Sequence, residues 1–289
     1  MRLLDLLSDG ALLLTLWSTG LAIGMSLGLH DVLAPLRRTG LVARAVILDV
    51  AVVPLLVWAL VELLSIREDY AIGLLLVGFA SAGPLGVKAA QIAGADVACA
   101  VSLVAVLEAA NALVIPLWVG LLMPSGVEVP LGELLVTLAV LVLLPLAVGM
   151  LVRARSPGSA RRWAPGAIIV SNISLVVVIA LVIGQNLSTL ADAFAAGITP
   201  VIVTAVVFAL VLGWLAGGPD RSTRAVVALV TGVRANALAL GIGRASFPSA
   251  PEVSVAIVAF GVFSALLPLA AALAARRMLS QSVREATTG

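Results

Sequence analysis

The chain has 289 residues, of which 62% are hydrophobic and 11% charged, and its mean hydropathy is +1.21. An ordinary soluble domain carries about 25% charged residues, so this composition excludes a soluble enzyme, a disordered chain and a nucleic-acid binder. The net charge of +2 decides little as a sum. The single cysteine, Cys99, and the single histidine, His30, exclude an internal disulfide, a multi-cysteine metal site and a histidine cluster, and no cofactor is expected.

A membrane-spanning helix needs about 20 mostly apolar residues. Nine such segments follow in chain order, at 10–29, 41–64, 70–93, 97–122, 129–152, 164–187, 197–217, 223–243 and 253–275. The runs are continuous, unlike the alternating ten-residue segments of a membrane β-barrel. The residues before the first span read as a short amphipathic lead, and the whole chain, 1–289, reads as one all-α polytopic membrane domain.

The basic residues give the orientation. Arg37, Arg38 and Arg44, then Arg153, Arg155, Arg161 and Arg162, then Arg221 and Arg224, then Arg276, Arg277 and Arg284 all fall on one side of a nine-span chain. The other side is acidic, with Arg2, Arg67 and Arg244 as exceptions. This predicts an inner (plasma) membrane protein with its N-terminus outside and its C-terminus cytoplasmic.

Two segments resemble each other: Gly86-Val87-Lys88-Ala89-Ala90-Gln91 in the third span and Gly232-Val233-Arg234-Ala235-Asn236-Ala237 in the eighth. The two spans run in opposite directions, which is the signature of inverted repeats with two broken helices, about 70–93 and 223–243. Gly83 and Pro84 supply a break, because proline lacks a donor and disfavours helix at the residue before it. The second half-helices are expected to begin near Gly86 and Gly232. Their N-termini, each beside a base, favour an anionic ligand at the bilayer midplane.

Four ionisable residues fall inside spans: Asp49, Lys88, Glu108 and Arg234. Each costs about 2.5–3.5 kcal/mol at a helix centre on insertion scales, and two acids with two bases pair to zero net charge. One reading is structural pairing; the other is a ligand or coupling site, and a transporter can use one ion pair for both. Gln91 lies one turn from Lys88, Asn111 shares a face with Glu108, and Asn236 neighbours Arg234, so these three are candidate cavity-lining residues. Ser171, Asn172 and Ser174 read as interhelical glue. Glu62, Asp96 and Arg44 are placed to snorkel at span ends, and the tryptophans suit interfacial or packing roles.

Several stretches carry a family resemblance: LAIGMSLGLHDVLAPLRR, AVVPLLVWAL, the long run from LLLVGFASAGPLGVKAAQ through AVLEAANALVIP, and TGVRANALALGIGRASFP. With these the chain resembles the bile acid:sodium symporter family, in its nine-span form. The resemblance implies two crossed, discontinuous helices within a core domain, a separate panel domain, and transport by alternating access. It also marks departures. The family's sodium sites use Ser and Asn where this chain has Gly86 and Val87, and small hydroxyl residues where it has Ala100 and Val104. They use a Glu where it has Val230-Thr231 before Gly232, and two Gln where it has Asp49 and Arg234. Related arsenite permeases use a cysteine and an acid in the broken helices, and neither is present.

The expectation is therefore a secondary transporter of a small organic anion, not an enzyme. Asp49, Arg234 and Lys88 stand in place of the sodium sites, so sodium is doubtful as a partner and a proton, through Asp49 or Glu108, is possible. The alternatives are a sodium- or proton-coupled symporter of the same family and a membrane sensor that binds without flux.

Overall fold

The computed structural model describes residues 2–26, 39–123 and 131–288, and these are entirely helix and connecting turns. His30, Arg37, Arg38 and Glu128 lie outside the described residues. Helix α1 spans Arg2–Ser26, so the expected lead is continuous with the first span. Helix α2 spans Thr39–Leu63 and contains a π turn at Leu48–Val52. Then come α3 (Glu68–Phe79), α4 (Leu85–Ala93) and α5 (Val97–Leu122). Helix α6 starts at Leu131, passes through a second π turn at Ala139–Leu143 and ends at Arg155. The remainder are α7 (Pro157–Gln185), α8 (Leu187–Ala195), α9 (Ile198–Ala216), α10 (Arg221–Gly232), α11 (Asn236–Ser246) and α12 (Pro251–Thr288).

Eight helical stretches among the described residues are long and apolar enough to cross a membrane, with α10 and α11 counted together as Arg221–Ser246. The segment from α3 to α4 is equally apolar but is cut into pieces of 12 and 9 residues. Helix α8 lies where the sequence reads as a loop. It is only nine residues long, too short for a hydropathy window, yet it packs against α9 and α12.

Two π turns share one cause. Each sits just before a proline near the start of the next helical stretch, Pro54 and Pro145. Pro54 has no N–H to give the carbonyl of Val50, four residues back. That carbonyl instead accepts from Trp118 Nε1 at 2.6 Å. Trp118 also stacks on Phe79 with centroids 6.3 Å apart. It therefore carries a specific backbone bond beyond the packing role its sequence position suggests.

The helices sort by their packing. Helix α1 packs chiefly against α6 and α7, while α3, α4, α9, α10, α11 and α12 pack among themselves and against α2 and α5. The α1–α6 seam is closed by small residues. A Cβ on Gly24 would meet the Leu146 carbonyl oxygen and lie 2.9 Å from Gly149 Cα. Gly20 and Gly24 form the small-xxx-small pattern that lets helix backbones approach. The α1–α7 seam is polar: Thr15 Oγ1 donates to Ser174 Oγ at 2.8 Å, and Thr19 and Ser171 hydroxyls are 2.5 Å apart.

Helix ends are tied by polar contacts. Arg244 binds Asp9 at 2.6 Å, and Arg67 reaches Asp69 and Glu252 at 3.6 Å each. At the opposite ends Asp96 accepts from Cys99 N–H as the N-cap of α5, and its own N–H donates to Ser222 Oγ at 2.9 Å. Asp96 is thus a helix cap where a snorkelling acid was expected.

Gly24→Val tests the small-residue seam. Overpacking a tight contact costs about 1–3 kcal/mol, so the variant should unfold several degrees lower in a detergent thermal melt. Gly10→Ala, where an added Cβ meets nothing within 4 Å, should leave the midpoint unchanged.

Candidate functional site

Two interrupted helices cross. Helix α3 ends at Phe79, and Ala80 is extended with ψ 97°. Ala82 has φ +31°, a value that non-glycine residues rarely adopt. Helix α10 ends at Gly232, Val233 is extended with ψ 130°, and α11 begins at Asn236. Gly83 and Pro84 lie in the first interruption and Gly86 is the second residue of α4. Gly232 belongs to the first half-helix, not to the start of the second. Its missing side chain makes room for Leu210, whose Cδ2 would be 2.7 Å from an added Cβ. The glycine is there for packing, and the chain unwinds just after it.

The broken backbone groups find partners one by one, as buried amides must. Pro84 has no N–H for the carbonyl of Ala80, and Ala235 N–H supplies one from the other break at 3.3 Å. The carbonyls of Val77 and Gly78 would bond to the N–H groups of Ser81 and Ala82 in a continuous helix. They accept instead from Arg234, Nε to Val77 O at 3.4 Å and Nη2 to Gly78 O at 2.6 Å. Ser81 N–H donates to Asn111 Oδ1 at 2.8 Å, and Asn111 Nδ2 returns a bond to Ser81 O at 3.0 Å. The Ala82 N–H lies near the Asp49 carboxylate.

Asp49 and Arg234 close the crossing. Arg234 Nη1 lies 2.8 Å from Asp49 Oδ1, with side chains 1% and 0% exposed. Thr231 Oγ1 donates to Asp49 Oδ2 at 2.9 Å. The π turn of α2 presents Asp49 to this point, in keeping with the frequent use of π turns at functional sites. Thr231 enters the sequence reading only as part of the stretch that replaces the family's Glu, and not as a site residue. Its signal is available, since it stands one turn before Arg234 in an apolar span.

A cavity of about 150 Å³ lies beside the crossing, between α1, α6 and α7 on one side and the breaks with α12 on the other. Its walls are mostly apolar, with a few convergent polar groups from Glu108, Arg234, Asn236, Asn172 and Ser171, the usual character of a small-molecule site. Glu108 is buried, and its hydrogen bond is from Asn111 Nδ2 at 3.3 Å. Asn236 Nδ2 donates to Arg234 O at 3.0 Å and Ser264 Oγ at 2.8 Å, which leaves Asn236 Oδ1 buried and unbonded. Ala237 and Leu238, in the first turn of α11, also line the cavity.

The structure thus brings Asp49, Arg234, Asn111, Glu108 and Asn236 to one place. It does not bring Lys88 and Gln91 there. Both are on the exposed face of α4, Nζ 3.3 Å from Oε1, and neither lines the cavity. Two acids and two bases therefore do not form two pairs: Asp49 pairs with Arg234, and among the described residues no base lies within 4.0 Å of Glu108.

Breaking a buried ion pair by removing one partner costs about 3–5 kcal/mol. Asp49→Asn and Arg234→Gln should each lower the unfolding midpoint markedly, and the double variant should lose much less than the two losses added. Full additivity would show that the pair is not the unit that holds the crossing.

The sequence profile of the Sodium Bile acid symporter family matches residues 12–193, more than half of the chain and all of the first break. No curated protein matches the chain. Family membership implies a multi-pass membrane protein that carries a solute by secondary transport and is not an enzyme. With the long apolar helices and the cavity between them, the matched stretch places this chain in the sodium bile acid symporter family.

Proposed function

We propose that this protein moves a small organic anion by alternating access and does so without sodium. The observation that carries the reading is the position of the Arg234 guanidinium. It lies among the Asp49 carboxylate and the carbonyl oxygens of Val77 and Gly78. That is a cluster of oxygens around a fixed positive charge, of the kind a bound cation would otherwise need. Gly86, Val87, Ala100 and Val104, which stand where the family resemblance expects oxygen-bearing side chains, have none to offer a sodium ion. Lys88 plays no part in this reading, because it faces away from the cavity.

In this account the chain crosses the membrane nine times, with α3 and α4 together forming one broken span and α10 and α11 another. The breaks are related as inverted repeats in a register that matches Phe79 to Gly232, the last residues of the two leading half-helices. Helices α1, α6 and α7 form the panel and the rest the core. The N-terminus is outside. Arg67 and Arg244, on the acidic side, are both paired with acids there, which supports this orientation under the positive-inside rule. An anion in the cavity meets the positive end of α11, an interaction that helix N-termini favour.

Proteoliposomes with cholate, pyruvate and methanesulfonate as separate labelled probes test the reading. At least one probe should enter at rates equal, within about twofold, in sodium and in choline media, since no step consumes a sodium gradient. Uptake that requires sodium would overturn the built-in cation. Saturable binding without flux of any probe would favour a membrane sensor.

A further inference from the structure

We infer that Glu108 is the proton-binding group that couples anion movement to a proton gradient. The inference rests on the anion reading above. Asp49 does not serve this role: both its oxygens are occupied, by Arg234 and Thr231, and it does not line the cavity. Glu108 lines the cavity, is 7% exposed, and has an amide as its bonding partner.

The charged groups in the membrane interior on elements packed against α5 are few. Asp49 and Arg234 neutralise each other, and Lys88 is turned to the exposed face of α4 and bonded to Gln91. The others, Arg44, Glu62, Glu68, Asp69 with Tyr70, and the arginines of α6 and α10, stand toward helix ends. Asp96 and Cys99, on and beside α5 itself, are at its first turn.

The buried polar atom at the cavity that has no partner, Asn236 Oδ1, is also an acceptor. Asn236 is oriented by two acceptors for its NH₂ group, Arg234 O and Ser264 Oγ. The Ser264 hydroxyl proton is itself given to Gly261 O at 3.2 Å. Asn236 Oδ1 therefore faces the site as an acceptor, like the carboxylate. An anion at the start of α11 would share this cavity with Glu108, which lines it as well. Two like charges some 6 Å apart at an effective dielectric of about 20 weaken binding roughly 100-fold. A proton on Glu108 removes that repulsion and supplies a donor to the anion. By linkage the anion raises the proton affinity of Glu108 by the same factor. One proton is taken from the medium as the anion binds and returned to the opposite medium as it leaves; no bond other than the carboxylic O–H forms or breaks.

Glu108 is also joined to the moving part. Asn111 Nδ2 is shared between Glu108 Oε2 and Ser81 O, and Asn111 Oδ1 holds Ser81 N–H. The protonation state is thus one residue removed from the unwound backbone.

The test is calorimetry of the full chain in lipid nanodiscs, without sodium. Cholate, pyruvate and methanesulfonate are titrated separately in two buffers of different ionisation enthalpy, which yields the protons taken up per anion bound. Proton uptake per anion is expected to rise toward one as the pH is raised to where Glu108 is ionised in the free protein, with affinity falling about tenfold per pH unit over that range. Glu108→Gln should abolish the uptake and flatten the pH dependence, and Glu108→Asp should retain both. Anion binding with no proton uptake by the unaltered protein at any pH across this range overturns the inference and leaves the transport reading standing. So does uptake that persists in Glu108→Gln. Failure of all three probes to bind the unaltered protein overturns the anion reading, and the inference with it.

Discussion

Backbone at membrane depth has no water to bond to, so an unwound stretch there must be fully satisfied by protein. The crossing at residues 80–84 and 233–235 answers this constraint with side chains and one backbone contact between the breaks. Arg234 takes the carbonyls that α3 leaves open, Asn111 takes the Ser81 N–H, and Ala235 bonds Ala80 across the breaks. Asp49 in turn holds Arg234, so these partners come from three elements: α2, α5 and the α10–α11 break. The crossing is therefore a joint among three parts of the fold, and the arrangement of the core depends on it. The positive φ of Ala82 is held in place by the same bonds, as local strain requires.

The ion pair has a double character in this setting. As structure, it neutralises two charges that lipid would reject and closes the orphan backbone groups. As chemistry, it fixes a positive charge among oxygens at the centre of the membrane. In the proposed reading a guanidinium stands in place of a mobile ion, so the site is permanently occupied and the energy of transport enters elsewhere. The cavity beside the pair offers one place, at Glu108, where a charge is not already matched. The apolar walls then matter for more than shape, because a low dielectric makes the sign and count of charges in the cavity decisive.

Much of the fold is legible in the sequence because hydropathy and length are enough to mark apolar helices. Pro84 marks the first break for a reason that survives any environment: it has no N–H. The second break has no proline, and Gly232 misleads, since a glycine in a membrane helix serves close packing as readily as unwinding. The short likeness between 86–91 and 232–237 misleads for the same reason. It aligns Lys88, on an exposed face, with Arg234, inside the crossing. The pair Asp49–Arg234 is legible as charges out of place, but their mutual assignment is not, because four charges allow several pairings and only packing selects one. Asn111 is legible by its spacing from Glu108. Trp118 is not, since one indole in an apolar run carries no mark of the backbone group it will meet.

The central claim is that Arg234 occupies the place of a bound cation. It is tested most directly by equilibrium binding of labelled sodium to the purified protein at neutral pH, across concentrations up to tens of millimolar. The account predicts no saturable sodium binding, with or without an organic anion present. Saturable binding near one or two ions per chain would contradict it.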